Sequence, residues 1–388
     1  MNPIDELRAA RPAHLGDRPV DERTRAVELA RAMSGPRETR QRRRKAAVRP
    51  MWGLGLGGAA AAVTAVAVVM SGNGAAPTTP RAPDGGRVVA GAGATETATP
   101  RVTLSARAVL LAAAEKADRQ TEGSGAYWHN VSVHRQLFTV KDGGYRVMDQ
   151  DRSESWTPSA VGGEQWSQSR SLGARPATEA DRVAWEQAGA PSEVEVVVLG
   201  KKVPMKLSVS EGRTRTGHSP LVDGDKVFWL GRNVTMKDLR GLPGDPDRLK
   251  KWLMASYKGH STESSSVKMS GDAWLFTVTV GLIMDMPVTP EVRGAAFRML
   301  AELDSVRVAE NVTDSEGRQG TAVSVEEDTQ GGGVSETRLV FDEATGQPLA
   351  SEGVVVKPGG MQAGFEPGTV WNSYALLESG WTDSKPAS

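Results

Sequence analysis

GDAWLFTVTVGLIMDM, residues 271–286, is the stretch on which the fold class turns. Its β-branched Thr277, Val278, Thr279 and Val280 leave it ambiguous, because such side chains suit strands. Trp274, Val278, Leu282 and Met286 decide it: they recur at spacing four, which stacks them on one side of a helix. The spacing predicts a buried helix that Pro287 ends. Working outward, EVRGAAFRMLAEL (291–303) repeats the helical pattern through Val292, Ala296, Met299, Leu300 and Leu303. On the other side, GDPDRLKKWLMASY (244–257) opens with Asp245-Pro246, a helix start signal, and sets Leu249, Trp252, Leu253 and Ser256 on one face.

Away from this helical centre the period drops to two. AYWHNVSVHRQLFTV (126–140), GYRVMDQDRSESW (144–156) and GEQWSQSRSL (163–172) alternate like strands, with Asp142-Gly143-Gly144 as a turn. A helix over TLSARAVLLAAAEKADRQ (103–120) precedes them, with Thr103 or Ser105 as its cap and Leu104, Ala108, Leu111 and Ala112 on one face. ATEADRVAWEQAG (177–189) reads as a short helix with Val183, Ala184 and Ala188 inward, and VEVVVLG (194–200) and VPMKLSV (203–209) as strands. From Ser305 strands return: SVRVAENV, GTAVSVEE, SETRLVF, QPLASEGVVV and TVWNSYALLE, separated by Gly-, Asp- and Pro-rich turns. Strands, then helices, then strands suit an α+β fold: a curved antiparallel sheet carrying helices on one face.

Ahead of this lies MWGLGLGGAAAAVTAVAVVM, residues 51–70, twenty residues without a charge, long enough to cross a bilayer as one helix. Arg37, Arg40, Arg42, Arg43, Arg44, Lys45 and Arg49 precede it, and no charge follows until Arg81. The positive-inside rule then places residues 1–50 in the cytoplasm and the rest outside. Formal net charge is zero, but residues 1–50 carry 13 Lys/Arg against 7 Asp/Glu, net +6, and the remainder is net −6. Because RQRRRK (40–45) directly abuts the span, it reads as a topology signal and not as a nucleic-acid patch. Gly53 and Gly57 form a G-x-x-x-G pair that permits close helix approach. Residues 71–101, dense in Gly, Ala, Pro and Thr, read as a flexible linker, leaving 102–388 as an exported α+β domain.

YWH at 127–129, LPGDPDRLKKWL at 242–253, PEVRGAAFRMLAEL at 290–303 and FDEATGQPLASE at 341–352 resemble an uncharacterised actinomycete family of single-pass membrane proteins. The exported domain further resembles the half-barrel lipoprotein-carrier fold, in which a curved sheet with helical lids encloses an apolar groove. The layout is also similar to that of anti-sigma regulators, although the N-terminal segment has none of the Cys and His of their zinc-type domains. The resemblance implies a binding domain and carries over no catalytic, cofactor-binding or metal-binding residue.

The residues themselves agree with a non-enzymatic reading. No Cys is present, which removes thiol nucleophiles, disulfides and Cys-based zinc sites. His129 and His134 are five apart on one strand and face opposite sides, so they do not share a metal; His14, His218 and His260 are scattered. No nucleophile elbow, phosphate loop or dinucleotide fingerprint occurs outside the span. Glu326, Glu327 and Asp328 read as a solvated face before a turn. Ten Trp are unusual; Trp52 suits a membrane interface, and the other nine either fill the core or line a groove for an apolar ligand. Two functions are therefore expected of this chain. In one, an exported sensor reports envelope or lipid state to a cytoplasmic partner such as a sigma factor. In the other, a tethered carrier or scaffold binds a lipid or envelope protein without signalling.

Overall fold

The computed structural model describes residues 105–198, 204–262, 264–329 and 331–386, which fall in one compact unit. The expected cytoplasmic segment, membrane helix and linker lie outside the described residues. Among the described residues no helix is long and apolar enough to cross a membrane.

Ser105 caps the first helix, α1 (Ala106–Asp118), its Oγ accepting from the Ala108 N–H at 3.2 Å. The buried face is Val109, Leu110, Ala113, Ala114 and Ala117, rotated from the expected Ala108, Leu111 and Ala112. The helix is apolar around most of its girth, so tertiary packing and not periodicity chooses the face. Three long antiparallel strands follow as expected: β1 (Tyr127–Thr139), β2 (Arg146–Pro158) and β3 (Glu164–Ser171), with a two-residue β4 (Arg175–Pro176) against β2.

Helix α2 (Glu179–Gln187) overturns its expected orientation. Val183 is 41 % exposed and Ala188 is exposed; of the expected trio only Ala184 turns inward, beside Trp185. The reason is polar. Asp181 is buried because Oδ1 accepts from the Arg146 N–H at 2.8 Å and Oδ2 from the Thr178 hydroxyl at 2.6 Å, and these bonds fix the helix's rotation. Strands β5 (Glu193–Val196) and β6 (Met205–Ser208) form a small separate hairpin. The edge strand β7 (Arg215–Pro220) and the hairpin of β8 (Lys226–Trp229) and β9 (Asn233–Thr235) had no periodic signal.

The helical centre opens with the short α3 (Met236–Arg240) and α4 (Pro246–Met254), the latter capped by Asp245 with Leu249 and Leu253 fully buried. Residues 271–286 do form a helix, α5 (Gly271–Asp285), capped by Ser270. Every residue from Ala273 to Asp285 is buried, so the helix is enclosed on all sides. Burial on this scale outweighs the few tenths of a kcal/mol that each β-branched residue costs a helix, about 2 kcal/mol in sum at most. Helix α6 (Pro290–Ala301) follows, capped by Thr289, and packs on α1 where Gly294 lets the Ala114 carbonyl and the Asp118 carboxylate approach.

Five strands close the chain: β10 (Arg307–Thr313), β11 (Gln319–Asp328), β12 (Val334–Phe341), β13 (Pro348–Lys357) and β14 (Val370–Thr382). They form a meander that joins the first meander through β14 and β1, giving the order β10-β11-β12-β13-β14-β1-β2-β3-β7 in one ten-stranded sheet with β4 off the path. Val323, Val325, Leu339, Phe341, Tyr374 and Leu376 share a core with α1, α4, α5 and α6. The opposite face carries the small cluster of Ala322, Val340, Ala350 and Ala375 with Val312 and Leu349, and Leu137 packs in another with Val355 and Phe365. The fold is α+β, with a large antiparallel sheet and few helices.

The β1–β14 seam also receives the C-terminus of α5. Trp128 Nε1 and Asn130 Nδ2 both donate to the Asp285 carbonyl, at 2.7 and 2.8 Å, and the Tyr374 hydroxyl donates to Asp285 Oδ1. Burial, and next the Asp285 charge, hold the Tyr374 hydroxyl well above its ordinary pKa, so it remains a donor. Tyr374→Phe withdraws that donor from a buried carboxylate and is expected to cost about 1–3 kcal/mol. Thermal unfolding of the full chain should then shift down by a few degrees; an unchanged midpoint would mean the network is not holding the helix.

Candidate functional site

Period two along the strands sets polar side chains on the helix-facing side of the sheet. On β1 these are His134 and Gln136, which pair across the sheet with Asp151 and Asp149 of β2 and with Tyr374 and Asn372 of β14. Ser351 and Gly353 of β13 and Thr337 of β12 extend the row. Above it lies a cavity of about 600 Å³, bounded overhead by Trp229, by Thr277 and Val278 of α5, and by Ser261, Thr262, Val267 and Met269 from the loop joining α4 to α5. Phe138 and Met205 supply apolar wall at one end and Trp371 at another. The volume lies in the range that takes a small organic ligand.

Electrostatics distinguishes the two faces. On the outer face Arg135 pairs with Glu316 at 2.7 Å, Arg152 with Glu154 at 3.0 Å and Arg338 with Glu336 at 2.9 Å. On the cavity floor no basic group contributes to the environment of Asp149 or Asp151. Burial, and next the charge of Asp151, push the Asp149 carboxyl up to about 6; burial also raises Asp151. Burial lowers the His134 imidazole to about 4, so it is neutral at pH 7, and its Nε2 has no hydrogen-bond partner. Its ring meets Tyr374 edge-on at 4.7 Å between centroids. At the other end of the row Glu327 is raised to about 7 by burial, although the Thr337 hydroxyl donates to its Oε1 at 3.0 Å; its Oε2 is buried without a partner.

The Glu326–Asp328 run is thus only in part a solvated face. Glu326 and Asp328 are exposed, but alternation turns Glu327 inward. His129 and His134 do face opposite sides: His129 stacks on Trp156 at 4.5 Å and lies 3.6 Å from Glu154 on the outer face. His218, three strands away on β7, stacks on Trp166 at 4.7 Å in the same cross-strand row, which runs His129, Trp156, Trp166, His218. Among the described residues no three His, Asp or Glu gather closely enough to hold a metal ion. Of the nine Trp, Trp128, Trp156, Trp166 and Trp274 are buried, Trp185, Trp252 and Trp381 pack half-buried against the cores, and Trp229 and Trp371 line the cavity. The polar floor had no counterpart in the sequence reading, yet its signal was present: Asp149, Asp151 and Ser153 share parity with the buried Val147.

The sequence matches no protein-family model, and no curated protein matches it.

Asp149 and His134 give opposed pH dependences. The native Asp149 carboxyl holds its proton up to about 6, against 3.8 unfolded, so its contribution to stability is full below 3.8 and is lost as pH rises through 6. His134, depressed to about 4, loses stability for the fold as pH falls from 6.5. Comparing Asp149→Asn with the native chain isolates the first. The variant should be more stable at pH 7.5 by about 1 kcal/mol after allowance for partial exposure, and the gain should vanish near pH 4. Denaturant midpoints at the two pH values check this; an equal gain at both would refute it.

Proposed function

We propose that residues 105–386 are the exported, ligand-binding part of a non-enzymatic, single-pass membrane protein, and that the curved sheet under its helices is a half-barrel of the lipoprotein-carrier kind. The cavity of about 600 Å³ between sheet and helices is the observation that carries this reading. It has the size and the mixed lining of a site for a small amphipathic molecule, with apolar groups overhead and a polar row below. The charge-free run at 51–70 and its Arg-rich flank support anchoring with the N-terminus in the cytoplasm. In this reading the domain senses its ligand outside the cell, and residues 1–50 relay occupancy to a cytoplasmic protein such as a sigma factor.

The full chain in lipid nanodiscs, titrated calorimetrically with neutral phenylhexanol against empty nanodiscs, tests the binding site. Saturable binding is expected, and Asn372→Trp, which fills the floor of the cavity, should weaken it by about tenfold, the equivalent of 1.4 kcal/mol. No saturable binding of phenylhexanol or of its amine counterpart, or equal binding by the variant, would remove the cavity as the functional site. Deleting residues 1–35 while keeping the basic flank then separates signalling from simple carriage: a signalling protein loses its cellular effect, and a carrier keeps it.

A further inference from the structure

Three features of the cavity floor point to one ligand chemistry. Asp149 and Asp151 are two apart on β2, so both carboxylates face the same side with their Cβ atoms about 7 Å apart, a gap that one small cation can bridge. His134 lies directly across β1 from Asp151 and offers a neutral imidazole whose Nε2 has no hydrogen-bond partner. The nearest basic side chains among the lining residues, Arg135 and Arg152, are spent on the outer face, on Ser315 and Glu316 and on Glu154. The floor is therefore rich in acceptors and holds negative charge that nothing in the described fold neutralises.

We infer that the cavity binds an organic cation with an apolar body, its ammonium group seated between Asp149 and Asp151 beside His134 and its apolar part under Trp229, Val278 and Met269. A primary ammonium carries three N–H donors and a positive charge, and the carboxylates of Asp149 and Asp151 supply acceptors of opposite charge, two ligands that need no third on the same point. A metal ion suits the floor less well, because no three His, Asp or Glu among the described residues converge on a common point. An anionic amphiphile is disfavoured by repulsion from both carboxylates, and a neutral one leaves them unpaired. This inference rests on the cavity being a binding site and adds the charge of what it takes.

The test uses three probes of one shape and different charge: phenylhexylamine, phenylhexanol and phenylhexanoate, each titrated into the full chain in nanodiscs at pH 7.5. The amine should bind at least about tenfold more tightly than the alcohol, with the carboxylate weakest, as expected for a charge pair in a partly desolvated site. Asp149→Asn and Asp151→Asn should each lower amine affinity while leaving or improving that of the alcohol. Both variants remove mutual repulsion, and their unfolding midpoints confirm that the fold survives. If all three probes bind alike, or the variants hold the amine as tightly as the native chain, the cation inference is overturned and the binding site remains. If none binds, the cavity reading falls with it.

Discussion

A helix buried on every side has a difficulty at its ends: its last carbonyls need donors, and water cannot reach them. For α5 the sheet solves this at one place. Trp128 and Asn130 give two N–H bonds to the Asp285 carbonyl, and Tyr374 reaches the Asp285 carboxylate. Trp128 and Asn130 belong to β1 and Tyr374 to β14, so the carbonyl and the side chain of Asp285 take their donors from the two strands that pair at the seam.

The same docking explains why a cavity forms where it does. Asp285 is in hydrogen-bond contact with the seam, whereas Thr277 and Val278, some eight residues and about 12 Å back along the axis, roof the empty space. Between the helix and the polar row no large apolar side chain rises from the floor at 134, 136, 337, 351, 353 or 372, positions held by His, Gln, Thr, Ser, Gly and Asn. At Leu339 and Phe341, further along the same face of β12, large apolar groups do rise and pack against the helices. Side-chain volume along single strands thus decides where the sheet is filled and where it is left open.

Much of this architecture was legible because local periods were strong. Spacing four in 271–286 outweighed β propensity, and each long strand announced itself by alternation and Gly- or Asp-rich turns. The ladder between β1 and β14 was not legible, since it joins Gln136 to Asn372 across 236 positions of sequence and no local pattern encodes a partner that distant. Helix α2 misled for a related reason: its apolar Val183 suggested an inner face, but the buried Asp181 and its bond to the Arg146 N–H set the rotation. The site shows the same division. Parity grouped Asp149, Asp151 and Ser153 in the sequence, and only the placement of the helices tells which parity looks into a cavity.

The contrast between the two faces of the sheet is what separates structure from function here. Four carboxylates away from the floor are matched, Glu316 with Arg135, Glu154 with Arg152, Glu336 with Arg338, and Asp314, fully buried, with Arg318, while Glu352, which burial also makes harder to ionise, lies opposite Arg338 in the ladder. Such pairs are what a sheet needs to keep charges at modest cost. The floor departs from this rule at Asp149, Asp151 and Glu327, each of which burial makes harder to ionise. An uncharged residue at any of them would remove that cost of ionisation, and it is this charge, facing a cavity, that the proposed binding of a cation would use.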